Sequence, residues 1–116
     1  MTLPSEGKLL RIFIGENDKH GGMALYEWIV RRAREEGLAG ATVLRGIEGF
    51  GGHSRLHTAK VLRLSSDLPI VVEIVDSEEK VEAFLAAIEG AIGEGLATLE
   101  KAEVRFYRSG EASADG

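Results

Sequence analysis

Cysteine is absent from the 116 residues, which excludes a disulfide framework, a thiolate nucleophile and a cysteine-based metal site. The absence does not fix a compartment. No apolar run approaches the roughly 20 residues of a membrane span, so direct membrane insertion is not expected. The opening Met1-Thr-Leu-Pro-Ser-Glu-Gly7 lacks the basic and apolar regions of a signal peptide, and a cytoplasmic protein is the default expectation. Excess positive charge is missing too. A net charge of -5 argues against a nucleic-acid coat protein or a basic membrane-surface helix. Internal low-complexity segments and linkers are likewise absent, so a second domain is not expected.

What is present suits a single domain over residues 1–116, with a core from about 8 to 107 and a small, polar, fraying tail over 109–116. A hydrophobic share of 44% supplies one core, yet a chain this short has little room for a deep private pocket. A site shared between subunits follows as the expectation. Lys8 to Glu16 reads as a strand. Asn17 and Asp18 are placed to cap a helix carrying Leu25, Tyr26, Ile29, Val30 and Ala33 at helical spacing, and Gly37 stands just past its end. Ala41–Ile47 is a second strand. Ala59–Leu64 opens a third, which resumes over Ile70–Val75. Asp76 and Glu79 form a capping pair for a helix marked by Val81, Phe84, Leu85, Ile88 and Ile92. A last strand lies in the later half of Leu96–Tyr107. The order is β-α-β-β-α-β, an α+β ferredoxin-like sandwich. Leu9-Leu10, Ile12-Phe13-Ile14 and Ile70-Val71-Val72 are apolar without alternation, as in sheets covered on both faces. Two helices cover one face, so the other is expected to meet further copies of the chain. Pro69 cannot donate to a ladder, which predicts a bulge or bend beside it.

Arg45 to His57 holds Gly46, Gly49, Gly51, Gly52, Phe50, His53, Arg55 and His57 between two strands. Glycines let backbone N–H groups approach an anion, and Arg45 and Arg55 add forked hydrogen bonds to phosphate. The pattern is neither a Walker A loop nor a dinucleotide fingerprint. The plain alternative is a hairpin loop whose glycines satisfy turns. His53 and His57 with a carboxylate are one route to a zinc or copper site; ordinary solvated histidines are the commoner fate. Ser54, Ser65 and Ser66 lack a nucleophile elbow, and Asp67 and Glu73 lack a nucleophile partner, so no catalytic residue is assigned. Gly93-Glu94-Gly95 is a second glycine turn, equally explained as a helix C-cap. Arg105 and Arg108 follow on or after the last strand, within reach of a phosphate or simply solvated. Trp28 reads as core or interface.

The runs Ala41-Thr-Val-Leu-Arg-Gly-Ile-Glu-Gly-Phe-Gly51, Ser54 to Thr58, Leu64-Ser-Ser-Asp-Leu-Pro-Ile-Val-Val-Glu-Ile-Val-Asp76 and Gly93-Glu-Gly-Leu-Ala-Thr98 resemble the uncharacterised PII-like proteins grouped as domain of unknown function 190. Through them the chain is similar to PII signal-transduction proteins and to CutA. The resemblance implies a PII-like homotrimer with inward-facing sheets. It implies an adenine nucleotide in clefts between subunits, and a loop between strands two and three that switches and docks on partners. By motif, Gly49, Phe50 and Gly51 match the loop base and Gly93 and Gly95 the nucleotide-holding turn, while Arg45 and Gly46 join the ligand-binding candidates through the composition of the loop. Arg105 and Arg108 correspond loosely to C-terminal basic residues. His53, Arg55 and His57 fall on the partner-facing part of the loop. The resemblance also implies a regulated membrane transporter or enzyme as partner, or else a CutA-like metal-binding role for the loop histidines. A ligand-free adaptor is the remaining alternative. Leu96 stands where PII proteins carry a lysine, and no tyrosine lies between Gly51 and Lys60 for nucleotidylation.

Overall fold

Leu10, Ile12 and Ile14 are buried while Leu9, Arg11 and Phe13 face the other way. This alternation organises β1 (Glu6–Gly15) in the computed structural model, which describes residues 5–51, 57–58 and 67–110. A ribbon of β2 (Lys19–His20) and β3 (Met23–Ala24) leads into α1 (Leu25–Glu35). Next come β4 (Thr42–Arg45), β5 (Glu48–Gly49) and β6 (His57–Thr58). Then β7 (Pro69–Asp76) runs into α2 (Glu78–Ile88), a 3-10 turn (Glu89–Ala91) and β8 (Leu96–Glu103). The main sheet is antiparallel with order β4-β7-β1-β8. This is the ferredoxin-like α+β arrangement.

Both helices pack on one face. Leu25, Ile29 and Ala33 of α1 and Val81, Phe84 and Ile88 of α2 join Leu10, Ile12, Ile14, Ile70, Val72 and Ile74 in one buried cluster. Each of the larger side chains contributes roughly 1.5–3 kcal/mol by leaving water. Among the described residues no helix lies on the opposite face. There Leu44 pairs with Val71, Val71 with Phe13, and Phe13 with Leu96. These four side chains form an apolar row across all four strands, with Phe13, Leu44 and Leu96 exposed. The doubly apolar strands thus have one face covered by both helices and, among the described residues, one that no helix covers.

Several local expectations are corrected. Asn17 and Asp18 do not cap α1. The Asp18 carboxylate accepts from the Gly15 N–H (2.9 Å) and its carbonyl from Leu25 N–H (2.8 Å), and the β2–β3 ribbon intervenes. The cap of α2 is Ser77, whose Oγ accepts from Lys80 N–H at 3.3 Å. Asp76 is instead buried, accepting from Ser77 N–H (2.7 Å) and Ala39 N–H (2.8 Å). The last strand occupies the earlier part of its predicted window, because its register on β1 runs from Leu96–Phe13 to Glu103–Glu6. Val104 then leaves the ladder. Its N–H donates to the Ser5 carbonyl (2.7 Å), its side chain lies against Gly7, and Tyr107 Oη donates to the Ala39 carbonyl (3.1 Å). Residues 104–107 therefore form a strap across the helix-free face. Pro69 is the first residue of β7, a position where a missing donor is harmless, and the segment before it, where a bulge or bend is expected, lies largely outside the described residues. The strand expected over 59–64 lies outside the described residues.

Candidate functional site

Register places four chain segments at one end of the sheet. β4 ends at Arg45, β7 begins at Pro69, β1 ends at Gly15 opposite Pro69, and β8 begins at Leu96 opposite Phe13. Gly46 N–H donates to the Pro69 carbonyl at 2.7 Å. A β-carbon on Gly46 would stand 2.8 Å from Pro69 Cγ, and one on Gly49 would stand 3.0 Å from it. Both glycines are thus laid against the proline ring, and a larger residue at either would push the loop base off β7. Beyond them, Glu48 pairs with Thr58 and Gly49 with His57. The loop therefore leaves the sheet as a short two-stranded ribbon. Ile47 (79% exposed) and Phe50 (68% exposed) stand in solvent at its base.

The Arg45 guanidinium pairs with the Glu16 carboxylate at 3.1 Å. The Asp67 carboxylate accepts from the Asn17 N–H at 2.8 Å, which ties the start of β7 to the turn after β1. At the other edge, a β-carbon on Gly95 would stand 2.8 Å from the Phe13 carbonyl oxygen, so the turn is pressed on the end of β1. Among the described residues, none beyond the chain neighbours comes within 4 Å of a β-carbon built at Gly51 or Gly93.

Of the residues singled out from sequence, Arg45, Gly46, Gly49, Phe50 and Gly51 gather at the β4 edge, and Gly93 and Gly95 at the β8 edge, of the same sheet end. Within one chain β7 and β1 stand between these groups, a separation of roughly 14 Å at three strand spacings. Arg105 and Arg108 lie past the opposite end of β8, about 23 Å along the strand from its start. There Arg105 is 3.7 Å from Glu103, and Arg108 stacks on Phe106 at 4.4 Å. His57 lies in β6, and His53 and Arg55 fall outside the described residues. Glu16, Asp67 and Pro69 are parts of this end that the glycine pattern alone does not indicate; only the pairing of β1 with β7 brings them in.

A second concavity, of about 340 Å³, lies between the strap and the sheet, with Leu9, Thr42, Glu73, Val75, Val104 and Phe106 among its walls. Among the described residues lining it Glu73 alone is charged, and that carboxylate is held by Arg11 Nε at 2.9 Å. Among the described residues no three His, Asp or Glu side chains stand together as a metal site, and no helix is long and apolar enough to cross a membrane.

Comparison with known proteins agrees with this geometry. The family model DUF190 (Uncharacterized ACR, COG1993) matches residues 7–104. A UPF0166 protein of Aquifex aeolicus (strain VF5) is 47% identical over 99 residues, covering 85% of this chain and 93% of that relative. Among solved structures, CPII from Thiomonas intermedia K12, a nitrogen regulatory PII-like protein, was solved bound to ADP and bicarbonate. It superposes with a TM-score of 0.64 at 19% identity, covering 85% of this chain and 88% of that one. The divalent ion tolerance protein CutA1 from Ehrlichia chaffeensis superposes with a TM-score of 0.55 at 10% identity, covering 89% and 85%. At these identities the structural likeness establishes the fold alone.

Proposed function

Because the chain belongs to the DUF190 family and has a PII-like fold, we propose that it is a homotrimeric regulatory protein. It binds a small anion, an adenine nucleotide in the first instance, in clefts between subunits, and acts by presenting its 46–57 loop to a target rather than by catalysis. The observation that carries the reading is the placement of the two glycine turns at one end of the sheet but on opposite edges. One chain cannot close a site from both. In a ring of copies, the β4 edge of one meets the β8 edge of the next, and the two half-sites become one. Arg105 and Arg108 join such a site only from a neighbouring copy.

Each half brings a distinct element. The β4 half supplies Arg45 and the Phe50 ring, a charge for phosphate and a flat apolar surface for a base. The β8 half supplies the Gly93–Gly95 turn, whose backbone N–H groups approach an anion without side-chain obstruction. Leu96 places no charge where PII proteins have lysine, which favours ligands with few phosphates over a triphosphate. Occupancy of the cleft changes the setting of the loop base on Pro69, and with it the surface that Ile47, Phe50, His53, Arg55 and His57 offer to a target. That target is a membrane transporter or an enzyme, and the setting is cytoplasmic. CPII, bound to ADP in one solved structure, supports adenine nucleotides as the first ligands to try.

Calorimetry with AMP, ADP, ATP and cyclic nucleotides, each with and without magnesium, tests the proposal. Saturable binding near one ligand per chain is expected. Silence from all of them at millimolar concentration overturns the nucleotide assignment.

A further inference from the structure

One ion pair at the glycine end ties the root of the loop to another strand. Arg45 closes β4 and Glu16 follows β1, with β7 between them, and the guanidinium stands 3.1 Å from Glu16 Oε2. The pair therefore spans the end of β7. Its two partners are unlike. The Glu16 side chain is only 21% exposed, and the Glu16 N–H donates to the Leu68 carbonyl at 2.8 Å. The Arg45 side chain is 61% exposed. It immediately precedes Gly46, whose N–H donates to the Pro69 carbonyl at 2.7 Å. A carboxylate on fixed backbone thus holds a solvent-facing guanidinium just ahead of the loop's seat on Pro69. Two neighbouring carboxylates are engaged by backbone instead. Asp18 accepts from Gly15 N–H at 2.9 Å, and Asp67 accepts from Asn17 N–H at 2.8 Å. Among the described residues of this turn, Glu16 is the carboxylate paired with a cation.

A carboxylate so placed is a rival for any anion that Arg45 receives. An ion pair with one exposed partner biases an equilibrium only about fivefold. Phosphate carries more charge than a carboxylate and accepts the forked donors of a guanidinium. A phosphate group therefore wins Arg45, whereas an uncharged ligand leaves it with Glu16. We propose that Glu16 is a built-in competitor that couples the ligand's anion to the loop. While Glu16 holds Arg45, the loop base is tied to the turn after β1. A phosphate-bearing ligand displaces Glu16 and frees the base. This rests on the reading that an anion meets Arg45, and it narrows that reading: the phosphate, rather than occupancy of the cleft alone, resets the loop.

The test uses the full chain with a single spin label. Having no native cysteine, the chain takes the label at Ile47→Cys alone, an exposed position at the loop base. Spectra are taken without ligand, with adenosine and with ADP, and calorimetry on the same samples reports binding. The chain with native Glu16 is expected to give a restrained spectrum that adenosine leaves unchanged and saturating ADP mobilises. Glu16→Gln should mobilise the label without ligand, shifting its mobile-to-restrained ratio about two- to fivefold, and ADP should then add little. Glu27→Gln, which breaks a pair with Arg31 on α1 at 3.0 Å, should change neither behaviour. Circular dichroism verifies the fold of each. A ligand-free Glu16→Gln label as restrained as that with native Glu16 overturns the coupling. So does ADP that binds without moving the label, or adenosine that moves it. ADP that binds neither chain overturns the nucleotide reading instead, and the tie then stands or falls on the ligand-free Glu16→Gln spectrum.

Discussion

The Tyr107 hydroxyl donates to the carbonyl of Ala39 across 68 positions of sequence, at 3.1 Å. The N–H of the same Ala39 donates to Asp76 Oδ2 at 2.8 Å. The α1–β4 connection is thereby held from both sides, by the C-terminal strap and by the β7–α2 junction. Lys80 Nζ adds a bond to the nearby Gly37 carbonyl at 3.1 Å.

Removing these partners should cost unequal amounts. Tyr107→Phe deletes one neutral hydrogen bond and is expected to lower stability by about 1 kcal/mol, whereas Asp76→Ala strands two donors at a buried position and should cost about 3 kcal/mol. Denaturant titration checks both, and equal losses would show that Asp76 is no stronger a tie than Tyr107.

Glycine positions at the candidate site divide by their surroundings. Gly95→Ala forces a methyl to 2.8 Å from the Phe13 carbonyl and should destabilise by roughly 1–3 kcal/mol. Gly51→Ala and Gly93→Ala meet no neighbour among the described residues and should leave the melting temperature within a degree or so of wild type. If Gly93→Ala nonetheless abolishes ligand binding, the turn contacts ligand directly.

The Glu16–Arg45 pair competes with any anion for the guanidinium. Glu16→Gln should therefore raise affinity for a phosphate-bearing ligand about two- to fivefold, the worth of a surface ion pair. Arg45→Ala should lower it about tenfold. Isothermal titration decides, and opposite signs for the two variants are the diagnostic result.

Leu96→Lys restores a point charge beside the Gly93–Gly95 turn. It is expected to raise affinity for ATP over AMP by about tenfold. Unchanged selectivity would place the ligand's phosphates elsewhere.

Phe13→Glu puts a charge in the middle of the apolar row formed with Leu44, Val71 and Leu96. Sedimentation should then report dissociated chains with an unaltered circular dichroism spectrum, since Phe13 points away from the helices.

Whatever depends on local periodicity is legible in the sequence. Leu25, Ile29 and Ala33 fall at helical spacing, and the apolar runs around Ile12 and Val72 mark strands, because these signals involve residues only a few positions apart. The contacts of Arg11 with Glu73 and Glu100 are not legible, since the three residues come from three strands and meet only through their register. The end of β8 is hidden for a related reason. Val104 and Phe106 alternate as strand residues do, yet they follow the strap because Gly7 makes room for Val104. The loop-base glycines stand out by composition, but their seat on Pro69 depends on β4 pairing with β7. Arg105 and Arg108 read as site residues by position after the last strand, whereas in one chain they lie far from both glycine turns.

The Ser5 carbonyl and Val104 N–H, 2.7 Å apart, bring the two extremities of the folded core together at the end of the sheet remote from the glycine turns. This is a practical opening for protein engineering. Copies joined in tandem by flexible connectors would carry their joints away from the proposed ligand clefts, and a substitution could then be placed in one copy alone. Such a single-chain assembly would let a defective half-site be paired with an intact one, and the two halves of each cleft be titrated separately.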